Sequence, residues 1–224
     1  SDEMDVEFEY STNLKDWNKV TENTNIFKAD ALWEPGYTEV IYLKVSNLGS
    51  LALKYNLGIN VVNEVIGKTK DNADIKLSDY IHFGIKENPT VAYANDEREV
   101  ARADVAANAN KISAGYTKTG TLEGKTSTET KADILALVVY MPETVGNEAN
   151  HNGTNIPSIN LGINVVATQM TAEGDSFGTD YDALATYPNG TYTAPAEDFT
   201  DLTGICRSDP HAEVPRIHRR PFAG

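Results

Sequence analysis

Residues 32–62 read LWEPGYTEVIYLKVSNLGSLALKYNLGINVV, and they decide the fold class. In the second half of this stretch, apolar residues of one parity alternate with polar or small residues of the other. The apolar set is Leu51, Leu53, Tyr55, Leu57, Ile59 and Val61. Successive side chains of a strand point to opposite faces of a sheet, so this period of two predicts a long strand with one buried face.

Two turn signals frame the first half of the stretch. Glu34-Pro35-Gly36-Tyr37 fits a type II turn, because proline sets φ at the second position and glycine supplies a positive φ at the third. Asn47-Leu48-Gly49-Ser50 tolerates left-handed geometry between two strand patterns. We therefore expect a hairpin in which residues 40–46 pair with the strand that begins at Leu51.

Further strand patterns occur on both sides of this stretch. They lie at residues 6–10, 77–85, 134–140 and 159–167. The short apolar run ILALVVY at 134–140 suits a central strand better than a helix. The hexapeptide LGINVV occurs at both 57–62 and 161–166, which indicates either neighbouring strands or a chance repeat. Residues 115–132 and 146–157 are polar and rich in turn residues, which favours loops.

The whole pattern predicts a mostly β protein, an antiparallel β-sandwich with one short helix on a connection. The helix is expected within residues 94–112, which open with Asn95-Asp96-Glu97 and are rich in alanine. We expect one domain over residues 1–206 and a disordered tail over 207–224, which holds four of the six arginines and three prolines. Foreign or frame-shifted sequence would also explain that tail.

Charge and composition limit the partners. The net charge of -14 disfavours nucleic acid and anionic headgroups, and no apolar run is long enough to span a membrane. Cys206 is the single cysteine, so an intrachain disulfide is impossible. The opening Ser1-Asp2-Glu3-Met4 does not resemble a translation start, and it suggests a processed, exported chain or an artificial boundary.

Motifs for chemistry are scarce. His82, His151, His211 and His218 are scattered, and no H-E-x-x-H, G-x-S-x-G or phosphate-binding glycine loop is present. We therefore expect no enzyme activity and no cofactor. Asp175, Asp180 and Asp182 are weak calcium candidates in an acidic run that fails the EF-hand pattern, and a solvated loop is the alternative. Asn152 and Asn189 begin formal N-glycosylation sequons.

Several separated blocks together carry a family likeness. LWEPGYTEVIYLKVSNLGSLALKY, LSDYIHFGI, LALVVYMPETVGNEANHNG and IPSINLGINVVATQMTAEGDSFGTDYD follow one another in this order. Across residues 5–182 the chain resembles the TasA/camelysin family of secreted Gram-positive proteins. The resemblance implies a jelly-roll-like antiparallel β-sandwich and export to the extracellular matrix or cell surface. It also implies self-assembly into biofilm matrix fibres, with other matrix proteins as further partners.

Assembly in that family is thought to proceed by donor-strand complementation, in which one subunit completes the sheet of the next head to tail. The nearest candidate donor here is the alternating segment Asp5, Val6, Glu7, Phe8, Glu9 and Tyr10, and an ordinary first strand is the equal alternative. The resemblance also brings a metallo-endopeptidase label, for which the paired histidines are missing. A non-polymerising adhesin is the third hypothesis.

Overall fold

The computed structural model describes residues 5–21, 26, 33–170 and 199–207, and for residues 116 and 199–207 it describes the backbone alone. In chain order the elements are β1 (Val6–Ser11), β2 (Asn18–Lys19), β3 (Thr38–Asn47), β4 (Leu53–Val65), β5 (Gly67–Lys68), β6 (Asp74–Ile75), β7 (His82–Glu87), α1 (Arg98–Val105), β8 (Asn110–Lys111), β9 (Tyr116–Leu122), β10 (Lys131–Tyr140), β11 (Ser158–Gln169) and β12 (Phe199–Arg207).

Two antiparallel sheets pack face to face. Sheet 1 has the order β2-β1-β3-β10-β7-β8, and sheet 2 has the order β12-β11-β4-β9. One apolar cluster joins their inner faces, with Leu43 and Leu137 from sheet 1 and Leu57 and Ile163 from sheet 2 all fully buried. The predicted antiparallel β-sandwich is therefore confirmed, as is the buried apolar parity of β4.

The long strands follow an immunoglobulin-type order. Taken along the chain, β1, β3, β4, β7, β10, β11 and β12 occupy positions A to G, with A-B-E-D in sheet 1 and G-F-C in sheet 2. β9 is an added strand beside β4. The predicted central strand at 134–140 is confirmed, since β10 pairs with β3 on one edge and β7 on the other.

The predicted hairpin between β3 and β4 is wrong, because the two strands lie in different sheets. The predicted type II turn before β3 does form: Gly36 has φ 87° and the Tyr37 N–H donates to the Glu34 carbonyl. At the other end of β3, the buried Asn47 side chain turns the chain across the sandwich. Its Nδ2 donates to the Leu51 carbonyl at 2.8 Å and its Oδ1 accepts from the Gly49 N–H.

Three other segments differ from their sequence patterns. The strand predicted over 77–85 begins only at His82, because the Glu64 carboxylate binds the Ser78 N–H and hydroxyl and holds a 3₁₀ turn at Leu77–Asp79. The helix predicted within 94–112 has its α-helical part over Arg98–Val105. The loop predicted over 115–132 contains β9, whereas 146–157 holds only a 3₁₀ turn and an isolated bridge.

Candidate assembly surface

A side chain closes the β7 edge of sheet 1. Asn108 follows α1, and its amide makes both hydrogen bonds that a neighbouring strand would make with Ile85. Oδ1 accepts from the Ile85 N–H at 3.0 Å, and Nδ2 donates to the Ile85 carbonyl at 2.9 Å. β8 pairs with His82 and Phe83 just ahead of this point. A covered edge of this kind is a poor template for another chain.

α1 is fixed over the same sheet. Arg102 donates from Nη1 to the Gly36 carbonyl at 3.0 Å and to Thr38 Oγ1 at 2.6 Å, and its Nη2 pairs with Glu143. Lys86 of β7 and Tyr93 both bind the Asp104 carboxylate, and these two hydrogen bonds hold the pKa of Asp104 below its ordinary value. The helix is thus tied to sheet 1 on both of its sides.

The opposite edge of sheet 1 carries the predicted donor segment. Asp5, Val6, Glu7, Phe8, Glu9 and Tyr10 form β1 and the residue before it. β1 pairs with β3 over its whole length, and its other edge pairs with β2 at Glu9 and Tyr10. The structure therefore places the segment as the first strand of its own sheet. Its use as a donor to another copy stays a prediction.

A small charged cluster lies on the outer face of β1. Glu9 is 3.6 Å from Lys44 of β3, and the Lys44 ammonium sits 4.3 Å from the centre of the Trp17 ring. Partial burial, together with a hydrogen bond to the neighbouring Glu7 carboxyl, raises the pKa of Glu9 above its ordinary value of 4.5, and Lys44 opposes this rise. Glu9 is therefore a titrating group on this face.

Sheet 2 ends in β9 on one side. β9 pairs with β4 from Leu53 to Ile59, and no strand of the described chain pairs with its outer edge. Thr117, Thr119 and Thr121 are exposed along it. Lys118 forms an ion pair with Glu87 of β7. Lysine and short polar residues on an edge strand disfavour pairing with another sheet.

β12 covers the other side of sheet 2. It pairs antiparallel with β11 along its full length, from Asn160 opposite Arg207 to Thr168 opposite Phe199. In the part of the chain that the structure describes, β12 has no second strand neighbour. Residues 171–198 link the two strands in sequence. The strand was missed from the sequence, because FTDLTGICR lacks a regular apolar alternation.

The two LGINVV copies form the centre of sheet 2. Leu57 pairs with Val165, Ile59 with Ile163 and Val61 with Leu161, so each copy runs antiparallel to the other. The expectation that the repeat marks neighbouring strands is confirmed. Val62 falls at a register shift on this seam and is exposed.

The other residues singled out by sequence lie apart from one another. His82 stacks on Tyr140 with ring centres 5.9 Å apart, as a residue of the sheet wall. His151 and the sequon at Asn152 lie in the loop before β11. Asp175, Asp180, Asp182, His211, His218 and Asn189 lie outside the described residues. Within the described ranges, no group of three or more His, Cys, Asp or Glu residues could hold a metal ion.

Comparisons with known proteins give no family. No model of a known family matches the sequence, and no curated protein matches it. Among solved structures, the chain is similar to a PapD-like (ASH) domain of human CEP192, at 10% identity and a TM-score of 0.38, covering 95% of this chain and 90% of that one. It is also similar to AvmM, described as catalysing macrocyclization in alchivemycin A biosynthesis, at 12% identity, a TM-score of 0.33 and coverages of 95% and 92%.

Both overlaps are too loose to carry an argument about function. Of the helices in the described residues, none has the length and apolar character needed to cross a bilayer.

Proposed function

We propose that the protein is an extracellular structural subunit whose copies assemble head to tail into matrix fibres, and that the exchanged element is β12. The resemblance to secreted matrix proteins supports the location and the fibre. The observation that carries the mechanism is the pairing of β12 with β11: the last strand of the described chain completes one edge of sheet 2 along its whole length and pairs with no other described strand.

Exchange of such a strand requires no new contact. The pairs that β12 makes with β11 of its own chain are the same pairs that it makes with β11 of a neighbour. When each copy donates β12 to one neighbour and accepts β12 from another, the interface is heterologous and the chain of copies does not close on itself. Asn108 closes the β7 edge of sheet 1, which favours assembly through sheet 2.

Disulfide trapping tests this mechanism, because the register of β11 and β12 shows which of their residues lie opposite each other. Val166 and Asp201 are opposed in β11 and β12. In a Cys206→Ser background, Val166→Cys with Asp201→Cys is expected to give monomers with an internal disulfide before assembly. Fibres of the same variant are expected to give a ladder of covalent dimers, trimers and larger species on a non-reducing gel. Fibres that dissolve into internally linked monomers would reject strand exchange.

Two controls complete the test. Val166→Cys alone in the Cys206→Ser background has no partner thiol in β12 and is expected to give no ladder beyond dimers. A chain that ends at residue 198 lacks β12; it is expected to stay monomeric by electron microscopy and to bind a synthetic peptide of residues 199–207. Fibres formed by that shortened chain at the full-length rate would place the donor elsewhere, with β1 as the next candidate.

A further inference from the structure

An open cavity of about 460 Å³ lies at one end of the sandwich. It is bordered by Trp33 to Pro35 in the turn before β3, by Lys70 between β5 and β6, by Leu77, and by the loop before β11. None of the assembly contacts described above uses these residues. The volume falls within the range of about 300–1000 Å³ that is usual for small-molecule sites.

Hydrogen bonds hold the walls in place. The Lys68 N–H donates to the Asn155 carbonyl at 3.0 Å, and the Asn152 N–H donates to the Lys68 carbonyl at 2.8 Å. A bridge also joins Thr69 to His151. Gly67 lies so close to the loop that a Cβ there would be 2.5 Å from the Pro157 ring. The loop and the β5–β6 turn therefore form one preorganised wall.

The lining of the cavity combines an aromatic ring with aliphatic surface. Trp33 is fixed edge-on against Tyr37, with ring centres 5.2 Å apart at 81°, and Leu77, Ile156 and Pro157 supply the aliphatic part. The Trp33 Nε1–H is buried and has no acceptor among the described residues. Because this N–H is buried, the indole contributes ring surface to the cavity rather than a donor.

Polar groups surround this lining. His151 Nδ1 accepts from the Gly153 N–H at 2.9 Å, so the neutral ring carries its proton on Nε2 and offers a donor. Lys70 also lines the cavity, and its ammonium group offers a second donor. Asn150 donates from Nδ2 to Asn147, which leaves its Oδ1 as an acceptor, and Glu34 adds a carboxylate.

We propose that this cavity binds a pyranose unit of a polysaccharide. A sugar ring has one face of C–H groups, which packs on an indole and aliphatic side chains, and a rim of oxygens that accept and donate hydrogen bonds. The cavity presents both features together, because the Lys70 and His151 donors, the Asn150 amide and the Glu34 carboxylate line it beside the apolar surface. The same chemistry serves a neutral sugar through its hydroxyl groups and a uronic acid through its carboxylate.

Two other ligand classes fit less well. An inorganic or nucleotide phosphate would meet one lysine beside Glu34, in a protein of net charge -14. A wholly apolar ligand would remove water from Lys70 and His151 without replacing their hydrogen bonds. A sugar satisfies the apolar surface and the donors at once.

The test uses the two indole signals of the full-length chain. Trp17 and Trp33 are its only tryptophans, so a ¹H–¹⁵N spectrum contains two indole N–H peaks, and Trp17 lies under Lys44 on β1's side of the molecule. Titration with cellotetraose, chitotetraose or tetragalacturonate is expected to shift the Trp33 peak and leave the Trp17 peak in place, with a Kd of about 1 mM or tighter for at least one of them. Inorganic phosphate is expected to shift neither.

Variants of surface residues distinguish sugar binding in this cavity from a nonspecific effect of the sugar on the spectrum. Lys70→Ala and His151→Ala are expected to weaken the preferred sugar at least threefold, and Lys54→Ala, an exposed lysine on β4, is expected to leave it unchanged. If Lys70→Ala loses affinity for tetragalacturonate alone, the ligand is a uronic acid whose carboxylate binds Lys70. If it loses affinity for all three sugars, Lys70 contacts the sugar ring that they share. An unmoved Trp33 peak with every sugar, or a shift that both alanine variants retain, would overturn the proposal.

Discussion

The side chain of Asn164 fills the space above Gly58: a Cβ at Gly58 would lie 2.7 Å from Asn164 Oδ1. The relationship is reciprocal across the β4–β11 seam, where Asn60 pairs with Gly162 and a Cβ at Gly162 would lie 3.0 Å from Asn60 Oδ1. Each copy of LGINVV thus supplies the glycine that admits the asparagine of the other. The glycine–asparagine contact therefore occurs in both directions across the seam, and a Cβ at Gly162 would in addition lie 2.8 Å from Val62 Cγ2.

Gly58→Ala is expected to lower the free energy of unfolding by about 1–3 kcal/mol, because the new methyl group overpacks against Asn164. Asn164→Gly in the same chain removes that clash. The double variant is therefore expected to be more stable than the sum of the two single losses by about 1 kcal/mol, measured by urea denaturation. Gly58→Ala with Asn60→Gly is the matched control, since Asn60 faces the other glycine. Strict additivity in the first pair would contradict the relationship.

Asn108→Ala opens the β7 edge. The substitution leaves the Ile85 N–H and carbonyl without their partners, and we expect a loss of about 1–3 kcal/mol in the free energy of unfolding. Because an uncovered edge pairs with other chains, we also expect faster irregular aggregation by light scattering. Asn110→Ala, on the exposed β8, is the control and should change neither quantity. An Asn108→Ala variant that is destabilised without aggregating would show that the amide supports the fold but does not guard the edge.

The sequence predicted the elements whose burial repeats along a strand. β4, β10 and β11 each present an apolar face in a period of two or a short apolar run, and those patterns depend on the local chain alone. The sequence also indicated that the two LGINVV copies are neighbouring strands, because identical segments suit similar environments. The sandwich and its central seam could therefore be predicted before any tertiary contact was known.

Pairings that depend on single polar contacts could not be predicted. The hairpin expected after β3 fails because Asn47 binds backbone groups of residues that are distant in sequence, Leu122 and Glu123 among them. Residues 115–132 are rich in Thr, Gly and Lys, and this composition predicts a loop where the structure has β9. A Cβ at Gly120 would lie 2.4 Å from the Tyr55 ring, a contact that the local sequence does not indicate. The cavity beside Trp33 joins four separate chain segments, and no spacing rule connects them.

Asn47→Ala is expected to lower the free energy of unfolding by about 1–3 kcal/mol, because it leaves buried carbonyl groups and the Gly49 N–H without partners. Asn47→Asp keeps an oxygen that accepts from the Gly49 N–H but loses the N–H groups that donate to the Leu51, Leu122 and Glu123 carbonyls. The aspartate variant should therefore be no more stable than the alanine variant. Thermal unfolding followed by circular dichroism measures both. An aspartate variant as stable as the unmodified protein would show that the donors contribute little to the crossover.

Tyr55 connects the two sheets through a hydrogen bond from its hydroxyl to Asp133 Oδ2, at 2.6 Å. Burial, followed by this hydrogen bond and the carboxylate's charge, raises the pKa of Tyr55 well above its ordinary value of 10.0. The folded protein therefore holds this proton more tightly than the unfolded chain does, and stability falls as pH rises above about 10. Tyr55→Phe is expected to cost about 1–3 kcal/mol at neutral pH and to flatten that alkaline decline.

Asp133→Asn with Tyr55 intact separates the charge from the hydrogen bond. The amide keeps an acceptor for the Tyr55 hydroxyl, so we expect a smaller loss at neutral pH than in Tyr55→Phe. Urea denaturation at several values of pH gives both quantities. Equal alkaline slopes in Tyr55→Phe and the unmodified protein would assign the decline to other tyrosines.

Glu9 makes the stability depend on pH in the acidic range, whereas Tyr55 does so in the alkaline range. Its folded-state pKa is raised above 4.5, chiefly by burial, so the folded protein binds this proton more readily than the unfolded chain. Its contribution to stability is therefore largest below about 4.5 and declines as pH rises through the raised pKa. Glu9→Gln removes this titration. Compared with the unmodified protein, the variant should gain relative stability as pH rises from 4.5 towards 7, and the difference should level off above the raised pKa.

The attraction between Glu9 and Lys44 opposes the rise in the pKa of Glu9. Their contact at 3.6 Å is partly shielded from water, with side-chain exposures of 15% and 21%, and it lowers the pKa of Glu9. Lys44→Ala should therefore raise that pKa further and steepen the pH dependence, and adding Glu9→Gln to it should abolish the steepening. Glu99→Gln, an exposed carboxylate on α1, controls for loss of one negative charge. A pH profile that Glu9→Gln leaves unchanged would show that the Lys44 attraction offsets the burial of the carboxylate.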